Sequence, residues 1–151
     1  MTLSTFGAIM GFAAGMAKQA ADIYRVMAER ANDPGLKEAL LSFQKEEEKI
    51  HSLMEMTRRE NVTEMILEPV AGLEQADYEI DLKIPDQAGD ESLLKAALIL
   101  EEKEGKFFRD ASSKVPLPEV ARIFRKIVKK KEENLSELQS LGLNQTLGKS
   151  I

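Results

Sequence analysis

Cysteine is absent from the 151 residues, which excludes disulfides, thiolate metal sites and cysteine nucleophiles and suits a reducing, cytoplasmic setting. Tryptophan is absent too, and histidine occurs once. With a single imidazole, no Ser-His-Asp or Cys-His arrangement stands out, and no glycine-rich phosphate loop is present. Aromatic residues make up only 5% of the chain, so Leu, Ala, Ile, Val and seven Met supply the apolar mass, as expected of a helical bundle. The formal net charge of -5 lacks the basic field of a general nucleic-acid binder, so no nucleic-acid partner is expected. The most apolar run, Phe6 to Ala17, is too short to span a bilayer, and no Lys or Arg precedes Lys18 as a secretory leader would require. We therefore expect no membrane partner and a cytoplasmic protein, with Phe6 to Ala17 forming the first turns of a buried helix.

What is present is a chain 43% hydrophobic and 31% charged, enough for one domain over 1–151 with a sizeable core. Apolar spacing predicts helices over about 4–31, 35–59, 91–114 and 118–141. Asn32-Asp33-Pro34 stops the first helix and starts the second, with Asp33 as N-cap and Pro34 in the first turn. Asp90 or Ser92 can cap the third, and Val115-Pro116-Leu117-Pro118 turns into the fourth. Between them, 60–90 is a long mixed connection, with a short helix over Thr63 to Leu67, Pro69 and a segment around Tyr78 to Ile84. The second helix is about 37 Å long, so a connection of this size can run back along it and start the third helix parallel to it. The tail 142–151 carries no readable signal. Gly7, Gly11 and Gly15 recur every four residues along one face of the first helix, a packing seam either inside the bundle or between subunits. Because the early part of the first helix is apolar on every side, a homodimer is expected.

Glu48-Lys49-Ile50-His51 sets the only histidine three residues after a glutamate. On a helix these two share a face, and His51 falls on the apolar stripe with Leu36, Ala39, Leu40, Phe43, Glu47 or Glu48, and Met54. The choice is then between a metal ligand and a satisfied core histidine. An internal repeat strengthens the first. Shifting the chain by 84 residues (108 - 24) superposes Phe108 on Tyr24, Pro118 on Pro34, Phe124 on Leu40 and Leu138 on Met54. Two αα-hairpins related in this way bring the middles of four helices together about a pseudo-twofold axis, with Glu48, His51, Glu101 and Glu132 converging there.

Ala-Leu-Ile-Leu-Glu101 leading to Phe108, together with Glu48-x-x-His51 after the Asp33-Pro34 start, resembles the third and second helices of rubrerythrin-type proteins of the ferritin-like superfamily. The resemblance runs from about Gly11 to Leu141. It implies an all-α, ferritin-like four-helix bundle of two αα-hairpins joined by one long crossover, which in that family carries a di-iron carboxylate site. Helices one and three each give a glutamate there, and helices two and four each give Glu-x-x-His. By this resemblance Glu48, His51, Glu101 and Glu132 fall on ligand positions. Ala17 and Leu135 stand where a further glutamate and the second histidine belong, so the site is degenerate. A slip of one residue in the fourth helix would place Lys131 and Asn134 at the ligand positions instead.

The remaining donors suit one or two iron ions, with Mn or Zn as substitutes. Glu104, one turn beyond Glu101, is either a further carboxylate or a solvated charge. The implied activity is an iron-dependent oxidoreductase acting on peroxide or oxygen, which without cysteine would need an external electron donor. If no metal binds, the carboxylates need a cation, and Lys131 is the candidate. The same residues then describe a metal-free scaffold or oligomeric interaction module. The basic run Arg122, Arg125, Lys126, Lys129, Lys130 and Lys131 reads as a solvated face.

Overall fold

The computed structural model describes residues 2–61 and 73–150, with side chains as far as 142. Four helices dominate: α1 (Phe6–Arg30), α2 (Pro34–Glu60), α3 (Asp90–Ser112) and α4 (Pro118–Ser150). α1 packs along α2 and α3 along α4, so the architecture is an all-α bundle of two αα-hairpins. The expected short helix over Thr63 to Leu67 lies outside the described residues.

Local chemistry accounts for the helix ends. Thr5 caps α1, its Oγ1 accepting from Ala8 N at 3.0 Å. Asp33 caps α2 in the same way, accepting from Leu36 N at 2.9 Å, with Pro34 in the first turn. Asp90 does not cap its own helix. Its two carboxylate oxygens instead accept from Asn32 N and Asp33 N, both at 2.9 Å, across the turn between α1 and α2. This contact sets the start of α3 beside the start of α2. The two helices are therefore parallel, which is what the long connection demands.

The last helix outruns expectation: α4 has 33 residues and continues to Ser150. Gly142 does not stop it. A Cβ there would stand 2.8 Å from Leu94 Cδ2, so glycine lets the extended helix approach α3 closely.

A two-stranded antiparallel pair, β1 (Thr2–Leu3) with β2 (Leu73–Glu74), ties the beginning of the chain to the connection. From there a single 3-10 turn over Gln75–Asp77 leads into extended chain laid over α1 and α3. Tyr78 donates to Asp110 at 2.7 Å, Lys103 to the Glu79 carbonyl at 2.9 Å, and Gln19 to the Ile80 carbonyl at 3.0 Å. Arg30 then closes the strap by donating to the carbonyls of Ile84 and Pro85, each at 2.7 Å.

The core is one apolar cluster reaching from Leu3 to Leu138. Through it runs a relay of rings with centroids 5.2–5.3 Å apart, half-buried Phe12 tilted on Phe107 and then Phe107, Phe108 and Phe124 packed edge to face. The glycine row does not form a seam inside the bundle. Gly7, Gly11 and Gly15 line a groove of about 700 Å³ whose far wall is Arg58, Tyr78, Glu79 and Ile80. Among the described residues, no helix is long and apolar enough to cross a membrane.

Candidate ion-pair and metal site

Each helix turns its apolar stripe inward at alternating steps of four and three. On α2 the stripe runs Leu36, Leu40, Phe43, Glu47, Ile50, Met54 and Thr57, with Ala39 buried beside it. On α4 it runs Val120, Phe124, Ile127, Lys131, Asn134 and Leu138, with Ala121 buried beside it. The polar members of these stripes, Glu47, Lys131 and Asn134, meet Glu101 and Glu104 of α3 at mid-bundle, and all five are at most 1% exposed.

Lys131 is the centre of this cluster. Its Nζ bonds to Glu47 Oε1 and lies 2.9 Å from Glu101 Oε2, 3.5 Å from Glu104 Oε1 and 3.8 Å from Glu46 Oε1. Asn134 closes the other side, its Nδ2 donating to Glu46 Oε1 at 2.9 Å and to Glu101 Oε1 at 3.1 Å. Tyr24 lies against the same carboxylates. Its hydroxyl, Glu47 Oε2 and Glu104 Oε2 are buried with no hydrogen-bond partner. A groove of about 410 Å³ between α3 and α4, walled by Gly105, Val128 and Leu135, reaches in to Glu101 and Lys131.

One ammonium cannot balance this many buried carboxylates, so some keep their protons. Burial, then the charge of Glu47, raises Glu104 well above the ordinary carboxylate range. Burial raises Glu101 and Glu46 as well, opposed by Lys131. Burial alone would lower Lys131, but the charges of Glu104, Glu47, Glu101 and Glu46 outweigh it and hold the amine well above its usual value. The Tyr24 phenol is pushed well up, first by burial and then by Glu101, Glu104 and Glu47. The centre is thus an ammonium among carboxyl groups whose burial favours their protonated forms.

Of the four residues that sequence placed at the ligand positions, only Glu101 is in the cluster. Glu48 is exposed, its Oε1 accepting from Gln44 at 3.2 Å, and Glu132 is exposed 3.6 Å from Arg109. His51 is half-buried on the α1 side, its Nδ1 2.9 Å from the Ala14 carbonyl oxygen. A carbonyl can only accept, so Nδ1 carries the hydrogen and His51 is a satisfied packing histidine. The inward positions are one residue earlier on both helices, Glu47 with Ile50 and Lys131 with Asn134. The slipped register of the fourth helix is therefore the observed one.

Of the two readings of Glu104, the solvated charge is excluded, because the residue is buried with the other carboxylates. The rest of the basic run of α4, Arg122, Arg125, Lys126, Lys129 and Lys130, is exposed, and only Lys131 turns inward.

A di-iron pair does not fit this donor set. Such a pair takes four carboxylates from four helices and two imidazoles. Here α1 presents Ala17 and Ala20, α2 presents Ile50 where an imidazole would stand, and α4 presents Lys131 and Asn134. What the core does retain is a triad. Glu47, Glu101 and Glu104 each offer an oxygen, and these oxygens lie within 4.8 Å of one another, close enough to hold one ion. No protein-family model, no curated protein and no solved structure matches the chain.

Proposed function

We propose that the chain is a ferritin-like bundle of the rubrerythrin type in which a buried lysine stands where that family holds metal. In this reading it works as a metal-free, homodimeric binding or structural module in the cytoplasm. The observation that carries the reading is the position of Lys131 Nζ among Glu47, Glu101, Glu104 and Glu46. An ammonium there supplies the positive charge that the carboxylates need, with no redox couple and no open coordination position. An iron-dependent oxidoreductase acting on peroxide or oxygen would need ligands that face elsewhere, and its electrons would have to come from an external donor. For the homodimer, support comes from the groove along Gly7, Gly11 and Gly15, beside half-buried Phe12, which leaves one face of α1 uncovered among the described residues.

A second reading draws on a separate observation, the unpartnered Oε2 atoms of Glu47 and Glu104 within the triad. In that reading a single Fe, Mn or Zn ion displaces Lys131. Anaerobic loading with Fe(II), desalting and a peroxide assay separate the two. The metal-free module retains no iron and turns over no peroxide. Retention of about one ion per chain establishes the second reading, and about two with peroxide turnover would restore the oxidoreductase.

A further inference from the structure

We infer that the Lys131 side chain is a tethered cation that keeps divalent metal out of a carboxylate site which the rest of the core still carries. The inference rests on the metal-free reading and adds to it the reason that metal is excluded.

The donors are in place without Lys131. Glu47, Glu101 and Glu104 are fully buried and bring one oxygen each within 4.8 Å of the others. Beyond these, Tyr24 OH, Glu47 Oε2 and Glu104 Oε2 are buried and no N–H donor reaches them. An ammonium has only three hydrogens to donate, so four surrounding carboxylates leave acceptor atoms over. A hard divalent ion, which gathers several oxygen ligands at once, has the opposite appetite and would use them.

The position of Lys131 matters as much as its charge. Lys131 and Glu47 are in contact and 84 residues apart, the period of the internal repeat. They are equivalent positions on α4 and α2, facing each other across the pseudo-twofold axis. A carboxylate at 131 would therefore point into the cluster as Glu47 does. With the ammonium present, a divalent ion on the triad would sit within a few ångströms of a fixed positive charge in a poorly solvated core, where repulsion is strong. Lysine at this position excludes the metal by occupying its place.

The test titrates Mn(II) into the parent chain, Lys131→Glu and Lys131→Met. Isothermal calorimetry reads affinity, and thermal melting with and without the ion reads stability. Lys131→Met keeps the unbranched stem, one atom shorter, and removes the charge, so it tests the triad alone. Lys131→Glu adds a fourth carboxylate. Both variants are expected to bind about one Mn(II) per chain, at least ~100-fold more tightly than the parent. Their melting temperatures should rise on adding the ion, and a chelator should reverse the rise, while the parent stays unmoved.

Two results overturn the inference: both variants fold yet bind no more tightly than the parent, or neither folds even with Mn(II) present. Either result leaves the metal-free reading of the parent standing. Tight Mn(II) binding by the parent chain would instead bring down that reading and this inference together.

Discussion

Glu104 shows most directly how burial converts a side chain into a property of the whole fold. It is enclosed with Glu47, Glu101 and Lys131, and burial followed by the Glu47 charge raises it well above the ordinary carboxylate range. A carboxyl that holds its proton more tightly in the folded state adds stability that is fully present below its unfolded value. That stability is lost as pH rises through the folded value. Glu101 and Glu46 shift in the same direction, while Lys131 stays charged throughout the neutral range. The chain should therefore be more stable at about pH 5 than at about pH 8, and Glu104→Gln should lose part of that difference. Urea unfolding of both proteins at both pH values checks this, and an unchanged difference in the variant would count against it. His51 belongs to another account. Its bond to the Ala14 carbonyl joins α2 to α1, so His51→Ala should cost about 1–2 kcal/mol in urea unfolding. Metal content should not change.

At the scale of the helix, the inward residues follow from period alone. Leu36, Leu40, Phe43, Ile50, Met54 and Thr57 step by four, three and then seven before resuming, and the gap is filled only by Glu47. The stripe on α4 does the same at Lys131 and Asn134, between Ile127 and Leu138. This signal was legible in the sequence. The Glu48-x-x-His51 spacing competes with it because the two patterns differ by a single residue, or about a quarter turn. Period should win such a contest: an apolar stripe many residues long is worth more burial energy than one polar pair. The cap of α3 was not legible, because Asp90 bonds to backbone 57 and 58 residues earlier. No local pattern encodes a partner at that distance. Asp90→Ala should cost about 1–2 kcal/mol, since it leaves the Asn32 and Asp33 N–H groups without that carboxylate. Loss of that size in urea unfolding would confirm the parallel start of α2 and α3, and an effect near zero would speak against it.

Across the whole molecule, the bundle itself could be read from the chain. Two pairs of long amphipathic segments, short turns at Asp33-Pro34 and Pro116 to Pro118, and one long connection leave few other ways to bury the stripes. The extent of α4 beyond Gly142 could not, because a glycine in an apolar-polar pattern signals a stop unless its packing partner, here Leu94, is known. Nor could the strap over α1 and α3, whose hold is a set of side chains bonding to irregular backbone at Glu79, Ile80, Ile84 and Pro85. The charge at the middle of the bundle separates a metal-free core from a metal site, and NMR of the chain labelled with nitrogen at its lysine side chains observes it directly. A buried Lys131 ammonium should give one resonance with slow hydrogen exchange at neutral pH, lost in Lys131→Met and unmoved by Zn(II). A neutral amine at Lys131, or a signal that Zn(II) displaces, would contradict it.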